Sequence, residues 1–142
     1  MTEKPAKKIV TVSDVMTRGV IIVEPTATVH DAVLQMRANG TSSVIVNRRN
    51  PSDEFGLLVV SDIAAEVLGK NLSPERVNVY EAMSKPVLTL AAEMNIVYAV
   101  RMLTRFKLSR ALVIDHERNP LGIVTLRDMV LREVAEVEAE AE

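Results

Sequence analysis

Near the C-terminal end of the 142-residue chain, Gly122-Ile-Val-Thr-Leu-Arg-Asp128 places a hydroxyl, a guanidinium and a carboxylate almost side by side. An apolar pair leads into Thr125 and an amphipathic run follows Asp128, the pattern of a buried strand feeding a helix. The first turn of a helix carries unbonded N–H groups and the positive end of the dipole, so it attracts anions. A hydroxyl beside a carboxylate can also hold a sugar diol. The same Thr-x-x-Asp spacing is equally a helix-capping box. Both readings stand on these seven residues, and the remainder of the chain has to separate them.

Composition narrows the chemistry. Apolar residues make up 48% of the chain and charged residues 25%, as in ordinary globular proteins. A net charge of −2 leaves no basic excess to neutralise the phosphates of a nucleic acid. There is no cysteine, which removes disulfides, thiolate zinc sites and thiol nucleophiles. Apolar runs of about five residues fall far short of the roughly 20 that span a bilayer. Met1–Lys8 is basic but has no apolar stretch behind it, so it is not a secretory signal. These features predict a cytoplasmic protein without a membrane or nucleic-acid partner. His30 and His116 have no ligand-like spacing with other residues, and no metal site is expected. No phosphate-gripping glycine loop is present, nor any triad-like set around Ser42, Ser43 or Ser109. The chain is therefore expected to be no enzyme and to carry no catalytic cofactor; its methionines read as core filling.

The elements that must position the motif follow from periodicity. Ile9–Val12 and the β-branched Val20–Val23 read as strands, with a brief turn at Asp14–Met16 between them. Thr28 and Asp31 make a capping box, and Val29, Ala32, Val33 and Met36 share one helix face that ends at Asn39-Gly40. Val44–Val46 and Phe55–Val60 are strands, and a helix opened by Ser61 or Asp62 runs to Leu68 with Gly69 as its stop. After a linker containing Pro74 the order restarts. Val79–Met83 is a helical turn and Val87–Leu90 a strand, followed by a helix carrying Ile96, Ala99, Val100 and Leu103 on one face. Arg110–Ile114 and Leu121–Val124 are strands, and the last helix starts at Leu126 and frays in its glutamates.

This restart is an internal repeat. A shift of about 67 residues lays Val12–Asn47 on Val79–Ile114 without a gap, Met16 on Met83, Ser42 on Ser109 and Val46 on Val113. With one residue of slip in the hairpin loop, Gly56 falls on Gly122 and Asp62 on Asp128. Each copy reads strand, helix, strand, strand, helix. A unit of about 60 residues is marginal alone, so the pair is the expected folding unit.

Two ordered copies of this pattern resemble a tandem pair of cystathionine-β-synthase (CBS) domains, the regulatory unit called a Bateman module. The likeness rests on Val12-Ser-Asp-Val-Met-Thr17 and its echo Val79–Ser84, on Arg110-Ala-Leu-Val-Ile-Asp115, and on Gly122–Asp128. It covers about residues 9–133. It implies an α+β fold of two β-α-β-β-α units packed as a pseudo-twofold intramolecular pair. The first unit would span residues 1–70 with a short N-terminal tail, a linker 71–78, the second unit 79–135 and an acidic tail 136–142. In the family, the Gly-h-h-Thr/Ser-x-x-Asp segment grips an adenosine nucleotide in the cleft between units. By that likeness Asp128 takes the ribose hydroxyls, Thr125 binds ribose or phosphate, and Arg127 and Arg110 face phosphate. Val87, Leu88 and Thr89 would wall the adenine.

The first copy departs from the pattern. Its segment is Gly56-Leu-Leu-Val-Val-Ser-Asp62, so Val59 replaces the hydroxyl, Ser61 the arginine, and Ser43 stands where the second copy has Arg110. Valine matches threonine in shape but offers no oxygen, which costs a facing polar group about 1–3 kcal/mol. Asp62, Val20 and Ile21 would therefore form a weaker second site. Two arginines near the ligand tail favour AMP, ADP or ATP over a sulfonium. The expected function is a stand-alone sensor of an adenosine nucleotide that acts as a homodimer on a regulated protein the sequence does not name. The rival expectations are a ligand-independent dimeric scaffold with degenerate sites, and a sensor of S-adenosylmethionine or NAD(H).

Overall fold

The computed structural model describes residues 8–141, with side chains as far as Glu138. In chain order the elements begin with α1 (Val12–Val15), β1 (Thr17–Arg18), β2 (Ile22–Val23), α2 (Val29–Asn39), β3 (Ser43–Val46), β4 (Gly56–Val59) and α3 (Val60–Glu66). They continue with α4 (Val79–Ala82), β5 (Thr89–Ala91), α5 (Ile96–Phe106), β6 (Arg110–Ile114), β7 (Pro120–Thr125) and α6 (Leu126–Ala141). Strands and helices are mixed within each half, as an α+β fold requires.

Two compact bodies form, and they cut across the sequence repeats. Body A joins the described residues up to Gly19 with those from Leu88 onward, and body B is Val20–Val87. In body B a three-stranded sheet runs β2-β3-β4, the first pair parallel and the second antiparallel. In body A the same arrangement recurs as β5-β6-β7, and β1 adds a fourth, antiparallel strand on the far edge of β7. Body B shows the matching contact as a single bridge between Leu57 and Ser84, two backbone hydrogen bonds of 2.8 Å each. Each repeat's lead-in segment thus belongs to the body built on the other repeat.

The cores repeat position by position. Body B buries Val29, Ala32 and Met36 of α2 against Val44, Val46 and Leu58, and closes with Val79 and Ala82 of α4. Body A buries Ile96, Ala99 and Leu103 of α5 against Ala111, Val113 and Val124, and closes with Val12 and Met16. The long helices start and stop as their sequences dictate. Thr28 Oγ1 accepts the Asp31 amide at 3.1 Å, and Gly40 at φ +62° ends α2. Asn95 Oδ1 accepts the Val97 amide at 2.9 Å, and Lys107 at φ +57° ends α5.

Several expectations are corrected. Ile9–Val12 is no strand; only Thr11 bridges to Asn95, and Val12 opens α1. The reason is that Val10 and Val12 are tied to the entry of α5, whose Ile96 amide donates to the Val10 carbonyl at 3.0 Å. The β-branched runs overstate strand length, because propensity extends beyond the ladder: β2 is Ile22–Val23, and β5 is shifted to Thr89–Ala91. β1 was not foreseen. Gly69 does not stop α3; it lies in a 3-10 turn, Leu68–Lys70, that Asn71 ends at φ +56°. Within the stretch 71–78, the Val77 and Pro74 carbonyls accept the Val29 and His30 amides at 2.8 and 3.0 Å. The residues expected as an acidic tail from 136 are helical to Ala141, where alanine and glutamate have high helix propensity and Arg132 pairs with Glu136 at 3.1 Å. Most of the expected N-terminal tail lies outside the described residues.

Glycine is required where the lead-in crosses the last strand of each sheet. A Cβ on Gly122 would overlap the carbonyl oxygen of Thr17, a backbone atom. A Cβ on Gly56 would meet Met83 Sδ at 2.8 Å and the Ser84 carbonyl oxygen at 3.2 Å. A thioether can swing away, whereas a paired carbonyl cannot. Gly122→Ala is therefore expected to destabilise by about 2–3 kcal/mol and Gly56→Ala by about 1 kcal/mol, read from urea unfolding midpoints. Equal losses would show that backbone approach is not what selects these glycines.

Candidate ligand site at the β7–α6 junction

The sheet register assembles the candidate residues of body A. Arg110 lies directly opposite Thr125 across β6 and β7, and Leu112 lies opposite Ile123 on one side and Thr89 on the other. Opposed residues point to the same face of a sheet, as do residues two apart on a strand. Thr89, Arg110 and Thr125 therefore share one face with Leu112 and Ile123. Leu88 alternates to the opposite face and packs against the core under α5 and α6. Val87 belongs to body B, where its amide donates to the Phe55 carbonyl at 2.9 Å. Of the three residues expected to wall an adenine, only Thr89 stands on the face with Arg110 and Thr125. Leu112, which has no exposed surface, and half-buried Ile123 complete that face by the period-two alternation from Arg110 and back from Thr125.

At the head of α6 both readings of the motif find support. Thr125 Oγ1 accepts the Asp128 amide at 3.1 Å, so the threonine does cap its helix. The Leu126 amide donates to the Ser109 carbonyl at 2.8 Å. A capping hydroxyl keeps its own proton to donate to a further acceptor. The Asp128 carboxylate lies 3.6 Å from the Arg127 guanidinium, with side chains 41% and 80% exposed. Such a pair is worth little in stability and is open to solutes. Arg110 is half-buried and Arg127 exposed. The junction presents hydroxyl protons, two guanidinium groups and one carboxylate, a set that fits a ligand with both a diol and an anionic group.

Body B keeps the backbone and loses the polarity. Ser43 is opposite Val59, and Ile22 lies on the same face across β3. Ser43 is 6% exposed, and the Val60 amide donates to the Ser42 carbonyl at 3.0 Å just as Leu126 does to Ser109. The Asp62 carboxylate accepts the Val59 amide at 3.4 Å, a long bond. Ile21 is on the core side of this sheet, half-buried against the body B core, and Val20 is half-buried beside it. The polar series Thr89, Arg110, Thr125, Arg127 is thus replaced by Ile22, Ser43, Val59, Ser61. Among the described residues no group of three or more histidines or carboxylates is placed to hold a metal ion, and no helix is long and apolar enough to cross a membrane.

Comparison with known proteins identifies the family of this fold. The CBS domain family model matches residues 12–69 and 79–134, most of the chain. The chain belongs to the CBS domain family. An uncharacterized Methanopyrus kandleri protein, MK0525, is 31% identical over 135 residues, 92% of this chain and 68% of that protein. An arabinose 5-phosphate isomerase of Francisella tularensis, KdsD, is 25% identical over 130 residues, 90% of this chain but 39% of that enzyme. The structure of a hexameric CBS-CP12 protein from bloom-forming cyanobacteria superposes with a TM-score of 0.82 at 29% identity, covering 87% of this chain and 68% of that one. The CBS pair of protein MJ0100, in complex with 5′-methylthioadenosine and S-adenosyl-L-methionine, has a TM-score of 0.77 at 18% identity and shares the fold over 91% of this chain and 99% of its own. A CBS pair is a regulatory module.

The capping difference is testable by itself. Thr125→Val removes the acceptor of the Asp128 amide and is expected to cost about 1 kcal/mol. Val59→Thr supplies α3 with the cap it lacks and is expected to stabilise by a fraction of that. Urea unfolding of the two variants checks the pair, and opposite signs are the expected result.

Proposed function

We propose that this CBS pair senses an adenosine nucleotide (AMP, ADP or ATP), mainly through the second repeat, and passes binding on to a partner protein. The observation that carries the proposal is the cross-strand register that sets Arg110 beside Thr125, one helical turn from Asp128. A vicinal diol gives two donors to one carboxylate, each charge-assisted bond contributing about 1.5–3 kcal/mol. Phosphate then finds two guanidinium groups and the first turn of α6. The complex of the MJ0100 pair supports the adenosine part only as an analogy of fold, since its ligands are not phosphates. S-adenosylmethionine is the alternative ligand on that ground. Loss of ligand sites with retention of partner binding is the second alternative, and the apolar replacements in body B favour it for the first repeat. As part of this reading the protein works in the cytoplasm as a homodimer.

A thermal-shift panel with AMP, ADP, ATP, NADH and S-adenosylmethionine decides between these. A ligand at 100 times its Kd stabilises by about 2.7 kcal/mol, which moves a melting midpoint by several degrees. A shift with a nucleoside phosphate that Asp128→Ala abolishes and Asp62→Ala leaves nearly intact is the expected outcome. A shift with S-adenosylmethionine alone selects the sulfonium reading. Silence with every compound leaves the scaffold reading, and sedimentation then reports whether the chain pairs.

A further inference from the structure

We infer that the crossing over body B is a releasable strap, residues 84–86, latched by the single carboxylate of Asp53, whereas the crossing over body A is fixed. Such a strap works without a bound nucleotide and is independent of the function proposed above. The two crossings match residue for residue, since Thr17, Arg18 and Gly19 fall on Ser84, Lys85 and Pro86. In body A, Thr17 and Arg18 pair with Ile123 and Gly122 as β1, and the Gly19 amide donates to the Leu121 carbonyl at 3.2 Å. Body B has one bridge, Ser84 with Leu57. Pro86 has no N–H and cannot make the bond that Gly19 makes. The next bond comes from Val87, whose amide donates to the Phe55 carbonyl at 2.9 Å. Ser84, Lys85 and Pro86 are exposed, whereas Ala82 and Val87 on either side are buried. The strap is three exposed residues strung between two buried anchors.

What body B has in addition is charge. Lys85 Nζ donates to Asp53 Oδ2 at 2.9 Å, the side chains being 28% and 12% exposed. The same oxygen accepts the Arg49 amide at 2.9 Å and Arg49 Nε at 3.3 Å, so Asp53 pins the β3–β4 loop and the strap at one point. The Arg49 amide and then the Lys85 ammonium hold this carboxyl far below the usual carboxylate range, and the latch keeps its charge near neutral pH. Counted back from the paired glycines, Asp53 falls on Asn119. Asn119 is neutral and tied into its own loop, its amide and Nδ2 donating to Asp115 at 2.8 and 3.3 Å. Body A thus keeps the cation position, as Arg18, without the carboxylate, and has a two-residue ladder instead. The glycines agree: a flexible thioether faces Gly56, and a backbone carbonyl faces Gly122. Release of the strap leaves the Leu57 amide and carbonyl unpaired on the edge of β4, while Ala82 and Val87 stay buried.

Amide hydrogen exchange of the full chain, read residue by residue by NMR without nucleotide, tests this. Asp53→Asn keeps an oxygen for the Arg49 amide and removes the charge, and Lys85→Gln removes the other half of the pair. Either one is expected to speed exchange of the Leu57 and Ser84 amides at least tenfold, and the double variant to add nothing further. The Ile45 amide, bonded to the Ile21 carbonyl in body B, and the Gly19 amide in body A should change less than twofold. Lys85→Arg, which keeps the charge, should leave Leu57 and Ser84 near their wild-type rates, and Arg18→Gln should leave Gly19 at its own. Should Asp53→Asn fail to fold, Lys85→Gln and Lys85→Arg carry the test by themselves. Acceleration shared equally by Ile45 and Gly19 overturns the inference, because the whole fold and not a strap would then be opening. Unchanged rates at Leu57 and Ser84 overturn it too, as does Lys85→Arg exchanging as fast as Lys85→Gln. A comparable acceleration at Gly19 in Arg18→Gln removes the contrast between the two crossings and overturns it as well.

Discussion

The site depends on one close backbone approach, that of β1 to β7. Thr17 pairs with Ile123 and Arg18 with Gly122, so the carbonyl of Thr17 occupies space that any side chain at position 122 would need. β7 is held between β1 on one edge and β6 on the other, and its last residue is Thr125. The register that puts Thr125 against Arg110 is thereby clamped from both sides. A slip by one residue would turn Thr125 into the core and Val124 out of it. The first residue of the motif is therefore structural, and the last stands partly exposed on the first turn of α6. The glycine fixes the strand, the strand aims the threonine, and the threonine starts the helix that carries Asp128.

The same crossing explains why neither repeat is a compact body by itself. Val12 and Val79, both with no exposed surface, enter the cores of body A and body B through lead-in segments that come from the other repeat. Burying a valine contributes about 1.5–3 kcal/mol, a large share of a small domain's net stability. Met16 and Met83 follow the valines at the same spacing, and each presses its sulfur toward the glycine of its sheet. Cutting the chain between the repeats would remove from each body a helix that its core counts on. The repeat is a unit of sequence, and the body is the unit of packing.

Much of this was legible in the sequence, for stated reasons. Long helices with strong caps were read to the residue: Thr28, Asp31 and Gly40 bound α2 as their chemistry requires. The internal repeat carried the fold class, because two weak patterns in the same order constrain each other. Short elements were not legible. Two-residue β1 has no periodicity to detect, and its existence is visible only as an otherwise unexplained glycine on the strand it crosses. The division into bodies was hidden because local sequence describes neighbours along the chain, whereas Val12 and Val79 find their partners far from their own repeat. At the candidate site, the register sets Arg110 opposite Thr125, whereas Leu88, expected on the wall, is turned to the core by alternation. That error came from treating Val87-Leu88-Thr89 as one surface. A strand presents alternate residues, so three consecutive ones never share a face.

The two copies also separate what the fold needs from what a ligand needs. Positions that face the cores are apolar in both: Val29 and Ile96, Val46 and Val113, Leu58 and Val124. Both crossings have glycine, and both helices begin with a first amide held by a serine carbonyl. Had the polar residues Thr89, Arg110, Thr125 and Arg127 been needed for folding, body B could not have formed with Ile22, Ser43, Val59 and Ser61 in their places. It forms with the same sheet order and the same pairing. The sheet order and pairing therefore do not require those four polar side chains, and half-burying an arginine and two threonines carries a desolvation cost that an apolar residue avoids. Thr125 recovers part of that cost as the cap of α6, and Arg127 pairs with Asp128 in the first turn of the same helix. A ligand bound on one repeat alone would also act asymmetrically. Binding turns into a change of conformation or of partner only through a difference in affinity between two states.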